Sequence, residues 1–198
     1  IDLPGFGKSD IPNKFLSISD YAKIIAKFIN GEKIIRPAVF GHSYGGKIAI
    51  KLSVLFPNLV DKLILEGSSG IKPDKTFFRT LAYPLAKLGN LFLPDVFHIR
   101  SKARQRLYKQ LGSDYADAGA MKDIFISTVK EDLTNDLPKI KNETLLIWGE
   151  EDRAVPLKYG KRMYRLINNS KLVVMEDERH FPHVTNPERV ASYVKDFI

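Results

Sequence analysis

Apolar positions Ile18, Tyr21, Ile24, Ile25, Phe28 and Ile29 recur three and four apart, the spacing that lays a single stripe along a helix. Ser17 and Asp20 resemble a capping box at its start, and Gly31 lies just past its end. The run Pro37-Ala38-Val39-Phe40 then reads as a short buried strand, and Ile48, Ala49, Leu52 and Leu55 as a helix stopped by Pro57. Lys62 to Gly67 reads as a second strand, Thr144 to Gly149 as a third and Lys171 to Met175 as the last. Helices are expected from near Pro156 to the Asn168-Asn169 stop and from about Pro187 to Phe197, and Ile1-Asp2-Leu3 reads as the end of a further strand. Strands alternating with helices imply right-handed parallel crossovers, hence an α/β fold with a mostly parallel sheet flanked by helices.

One long segment departs from this alternation. From Ile71 to Asn142 the patterns are mostly helical, broken by Pro73, Pro84, Gly89-Asn90, Pro94 and Gly112, with no convincing strand. The expected organisation is therefore a core of residues 1–70 and 143–198 with a helical insertion at 71–142. Phe77, Phe78, Leu81, Tyr83, Leu85 and Leu88 could line an apolar pocket there or pack the insertion onto the core, and Met121, Phe125 and Val129 keep helical core spacing.

The chemistry gathers in loops that follow strands, where an open parallel sheet collects its functional groups. Gly41-His42-Ser43-Tyr44-Gly45-Gly46 puts a serine at a strand-to-helix turn. Small residues at 41 and 45 suit a bend that brings backbone segments close, and the amino end of the next helix favours developing negative charge. A serine hydroxyl needs a base, and the base an orienting acid. Asp152 and His180 each follow a strand and supply those roles. Glu150 and Glu151 compete for the acid, and His183 for the base.

Composition narrows the alternatives. The 198 residues are 44% hydrophobic and 27% charged, ordinary for a globular chain, with no apolar run long enough for a membrane helix. No cysteine is present, so disulfides and thiolate metal sites are excluded and the default compartment is cytoplasmic. Histidines 42, 98, 180 and 183 carry no close acidic ligand pattern, and no metal or cofactor is expected. The net charge of +8 includes a basic run from His98 to Lys109, but no nucleic-acid module accompanies it. Gly7-Lys8-Ser9 matches the tail of a phosphate loop, yet Asp2 stands where its first glycine belongs and Pro4 removes a donor.

The segments D-L-P-G-F-G-K-S-D, G-H-S-Y-G-G, W-G-E-E-D-R-A-V-P and H-F-P-H-V-T-N-P, in that order, resemble those of the α/β-hydrolase-fold serine hydrolases. The resemblance implies Ser43 as nucleophile, Asp152 as acid, His180 as base and the Tyr44 backbone N–H as one oxyanion donor. The W-G-x-x-D-x-x-x-P alignment selects Asp152, and the spacing to Pro187 selects His180. It also implies that the insertion is a cap, that the substrate is a small acyl compound and that no cofactor is needed. Carboxylic ester hydrolysis is the broadest expectation; carbon–carbon bond hydrolases, aminopeptidases, acyltransferases and non-catalytic binding proteins share the fold. Two departures stand out. Arg179 replaces a family glycine, and the chain begins after the loop that gives the second oxyanion donor, so a poorly active fragment with the Ser43 strand at an open sheet edge is expected.

Overall fold

The computed structural model describes residues 1–72 and 131–198. They divide between two compact units, one containing residues 1–15 and the other residues 16–72 and 131–198. Much of the segment expected to form the cap, including His98, lies outside the described residues.

The larger unit is built on a four-stranded parallel sheet, β1 (Val39–His42), β2 (Lys62–Glu66), β3 (Glu143–Gly149) and β4 (Ser170–Met175), ordered as in the chain. Val39 pairs with Leu63, Leu65 with Leu146 and Ile147 with Val173. The central strands are continuous apolar runs because both faces are covered. On one face, Ile64, Leu145 and Ile147 meet Val190 and Phe197 of the closing helix α5 (Pro187–Phe197). On the other, Trp148 packs so tightly against Gly160 of α3 (Leu157–Leu166) that a Cβ there would stand 2.6 Å from the indole.

Helix α1 (Ile18–Gly31) forms where its stripe requires, and both halves of the capping box are present: Asp20 N–H donates to Ser17 Oγ at 3.2 Å and Ser17 N–H to the Asp20 carboxylate at 3.0 Å. Such a cap contributes about 1 kcal/mol. Its Ala22, Ala26 and Ile29 pack with Leu52 of α2 (Ser43–Leu55) and with Val60.

Several boundaries differ from the sequence reading. The first strand starts at Val39 and runs through Gly41 and His42, because pairing with β2 continues to Glu66. Among the described residues β1 pairs with β2 alone, leaving Phe40 42% exposed. A single turn, α4 (Pro182–Thr185), precedes α5. Residues 131–142 pack on the sheet unit, with Leu133, Leu137 and Ile140 buried and Leu133 N–H donating to the Gly70 carbonyl at 2.7 Å.

Ile1 to Leu3 form no strand, since they find no pairing partner among the described residues. Residues 1–15 instead turn around Asp2, whose carboxylate accepts the Lys8 N–H at 3.0 Å and whose carbonyl accepts the Ser9 hydroxyl at 2.8 Å. A carboxylate lying on the Lys8 amide occupies the place of an anion, which disfavours phosphate binding by this loop.

Candidate active site

Ser43 is the first residue of α2, immediately after β1, and holds a left-handed φ of 50°. That conformation costs a non-glycine residue about 1–3 kcal/mol and persists only where its surroundings impose it. Here they are visible. Ser69 gives both its N–H and its hydroxyl to the Ser43 carbonyl, each at 3.0 Å. A Cβ on Gly41 would stand 2.7 Å from the Gly46 Cα, and one on Gly46 2.3 Å from the Ser68 hydroxyl.

The crowding corrects one expectation. Gly41 and Gly46 are the positions that must be small, whereas a Cβ at Gly45 meets nothing within 4 Å among the described residues. Gly45 faces out of the bend; Gly46 faces the loop after β2.

Asp152 follows β3 in a loop that its own carboxylate shapes. Oδ1 accepts the N–H groups of Ala154 and Val155 at 2.9 and 2.8 Å, leaving Oδ2 for another donor. That donor is His180 Nδ1, at 2.8 Å, and the Asp152 side chain is completely buried. On the far side of the ring, Nε2 lies 3.1 Å from Ser43 Oγ. A carboxylate only accepts, so Nδ1 carries the proton and Nε2 turns its lone pair toward the hydroxyl. The structure thus brings Ser43, Asp152 and His180 together in one continuous hydrogen-bonded chain.

The competing residues lie elsewhere. Glu150 and Glu151 are exposed, and Glu151 stands 3.7 Å from the Arg179 guanidinium on the surface. The left-handed residue of this loop is Asp177, at φ 60°, and not Arg179. His183 does not approach the serine in place of His180; it hydrogen-bonds the buried carboxylate of Glu66 at the end of β2. His42 donates from Nε2 to the His180 carbonyl at 2.8 Å. Gly67, at φ +48°, passes beneath the relay, where a Cβ would stand 3.1 Å from His180 Nδ1. The sequence reading missed Glu66, Gly67 and Ser69; the one available signal was a carboxylate closing an otherwise apolar strand.

Burial lowers the His42 pKa to about 4, although its bond to the His180 carbonyl works in the opposite direction. His180, His183 and Asp152 also face it. Between the ordinary value of 6.5 and about 4, the unfolded chain takes up this proton more readily than the folded one, so stability falls as pH drops through that window. Burial pushes the Glu66 carboxyl up, against the attraction of His183, and its contribution has the opposite sign. Urea unfolding at pH 7 and pH 5 should therefore show a smaller loss in His42→Gln than in the wild type. An equal loss in both would remove His42 from the acid response.

A family model described as the alpha/beta hydrolase fold matches residues 1–187. The chain belongs to the alpha/beta hydrolase fold family. This hydrolase is 30% identical over 214 residues to the uncharacterized hydrolase YugF of Bacillus subtilis (strain 168), covering 100% of this chain and 78% of that protein. It is 29% identical to a pimeloyl-[acyl-carrier protein] methyl ester esterase of Neisseria meningitidis serogroup B (strain MC58), covering 100% of this chain and 81% of the esterase. Among solved structures, a meta-cleavage product hydrolase (CumD) matches with a TM-score of 0.73 at 24% identity, over 99% of this chain and 77% of that one. That likeness supports the fold. Among the described residues of the hydrolase, no helix is long and apolar enough to cross a membrane.

Proposed function

We propose that the protein is a serine hydrolase that cleaves carboxylic esters through an acyl-enzyme, with Ser43 as nucleophile, His180 as base and Asp152 as the orienting acid. The observation that carries this reading is the unbroken path from Ser43 Oγ through the His180 ring to Asp152, with contacts of 3.1 and 2.8 Å. Ser43 Oγ attacks the substrate carbonyl carbon as its proton passes to His180 Nε2. Asp152 stabilises the imidazolium so formed. The carbonyl oxygen becomes an oxyanion, stabilised by the Tyr44 N–H in the first turn of α2, where the helix dipole favours negative charge. Collapse breaks the bond to the leaving oxygen, which receives the proton from Nε2. Water then attacks the acyl-enzyme with His180 again as base, releasing the acid and restoring Ser43.

Similarity to a methyl ester esterase supports an oxygen ester, and similarity at the same identity to a 2-hydroxy-6-oxononadienedioate/2-hydroxy-6-oxononatrienedioate hydrolase of Burkholderia vietnamiensis supports carbon–carbon bond hydrolysis as the second reading. The cap that selects the acyl group is assigned within residues 71–142, ahead of the stretch 131–142 that packs on the sheet unit. The substrate is a small acyl compound, and the steps above use no cofactor.

The test is covalent labelling. Incubation with a fluorophosphonate should give one phosphonyl adduct, mapped to Ser43 by peptide mass spectrometry, and should stop hydrolysis of a short p-nitrophenyl ester. Folded protein that takes no adduct at Ser43, or that hydrolyses the ester equally well once labelled, would defeat the reading.

A further inference from the structure

The register of the sheet places His42 opposite Glu66 where β1 and β2 end. Glu66 is fully buried, an unfavourable position for a carboxylate unless it is well paired. Both of its oxygens are used: Oε1 accepts the His183 backbone N–H at 2.9 Å, and Oε2 lies 2.5 Å from His183 Nδ1. Beside this pair, the His42 ring centroid is 4.8 Å from those of both His180 and His183. A carbonyl only accepts, so the bond from His42 Nε2 to the His180 oxygen fixes His42 as the Nε2–H tautomer.

These contacts hold the turn bearing the His180 imidazole at two points, its carbonyl at 180 and its backbone at 183. Pro182 is buried and the 178–179 backbone lies close against Gly149, but Phe181 is 49% exposed and the Arg179 side chain 77% exposed, so the polar contacts at 180 and 183 share in locating the turn. We propose that His42 and the Glu66–His183 pair are positioning residues, a polar clip that fixes the His180 backbone and thereby the reach of its Nε2 to Ser43 Oγ. The inference rests on the proposed role of His180 as base.

The same side chains raise the question of a metal ion, since one donor atom from each of His42, Glu66 and His183 lies within 4.8 Å of the others. Hydrogen bonding already engages both Glu66 oxygens, His183 Nδ1 and His42 Nε2. An ion would have to displace those bonds, whereas the clip uses them as they stand.

The experiment separates the His42 donor from the His42 ring. His42→Phe keeps an aromatic ring against His180 and Phe181 but has no donor; His42→Gln loses the ring and keeps an N–H. Ring resonances of His180 are followed by NMR with histidine-labelled protein, watching the Nδ1 proton shared with Asp152 and the Nε2 shift. In parallel, the rate of fluorophosphonate reaction at Ser43 and kcat and KM on a p-nitrophenyl ester are measured. His42→Phe should broaden or abolish the shared-proton signal and slow phosphonylation and kcat by about 10–100-fold with KM little changed, the scale of a misplacement approaching 1 Å. His42→Gln should recover most of that loss, and Glu66→Leu should behave like His42→Phe. Should Glu66→Leu fail to fold, the His42 pair decides. His180 resonances and rates in His42→Phe that match the wild type, or His42→Gln as impaired as His42→Phe, would overturn the clip. If His180 responds to His42→Phe while Ser43 of the wild type takes no phosphonyl group, the clip stands and the triad reading falls.

Discussion

Ser43→Ala is expected to lower kcat on a p-nitrophenyl ester by up to about 10⁶-fold, and Asp152→Asn by up to about 10⁴-fold, the losses characteristic, where the oxyanion hole is complete, of removing the nucleophile and of fixing the wrong imidazole tautomer. The asparagine substitution is the sharper test because Asp152 does two things at once. Oδ1 accepts two loop N–H groups while Oδ2 accepts one from His180. An asparagine can keep only one oxygen. Turned toward the loop, that oxygen satisfies Ala154 and Val155; turned toward His180, it leaves both loop donors facing an NH₂ group. Two donors outweigh one, so the amide nitrogen is expected to face His180 Nδ1. The ring must then accept at Nδ1 and carry its proton on Nε2, toward Ser43 Oγ, where no lone pair remains to take the serine proton. Fold stability should change little because the loop bonds survive. Steady-state kinetics with thermal unfolding check both halves. Asp152→Asn with turnover within tenfold of the wild type would show that Asp152 does not set the tautomer.

The residues of this relay were legible in the sequence for a topological reason. In a parallel sheet the strands end on the same edge, so the loops carrying serine, acid and histidine converge without any knowledge of the crossovers. The choice of Asp152 over Glu150 and Glu151, and of His180 over His183, came from the resemblance to the α/β-hydrolase motifs. The start of α1 was legible for a local one: Ser17 and Asp20 lie within one turn, and their bonds depend on nothing farther away. Glu66 had no such signature. Its partner His183 is 117 positions later, and nothing in an apolar strand reports that its last residue will be capped by a distant turn. Ser69 was opaque likewise, because its role is to hold a carbonyl 26 positions earlier. The choice between Gly45 and Gly46 depended on which of two adjacent helical positions faces the loop after β2, a rotation that the G-x-S-x-G spacing does not specify.

Gly149→Ala is expected to combine a stability loss with a catalytic one, because its added methyl meets backbone. Gly149 ends β3 opposite Met175, and the two chains then run on together: Glu150 N–H donates to the Met175 carbonyl and Glu151 N–H to the Glu178 carbonyl, each at 2.9 Å. A Cβ at Gly149 would stand 2.1 Å from the Arg179 carbonyl oxygen and 2.5 Å from that of Glu178. No rotamer change relieves such contacts, so residues 178–179 must move by roughly 1 Å to reach ordinary van der Waals separation. His180 is the next residue, and its 2.8 Å bond to Asp152 spans the gap being widened. The overpacking should cost about 1–3 kcal/mol or somewhat more, a fall in Tm of roughly 2–12 °C for a chain of this size. The displaced ring should lower kcat about 10²-fold. Gly45→Ala is the matched control: its Cβ meets nothing among the described residues within 4 Å, and alanine within a helix is favoured over glycine by roughly 0.5–1 kcal/mol, so Tm should hold or rise. Differential scanning calorimetry of both variants, with kcat for Gly149→Ala, reads the contrast. A Gly149→Ala protein with wild-type Tm and turnover would mean that the 178–179 backbone yields freely, and the placement of His180 would then owe nothing to its close approach to β3.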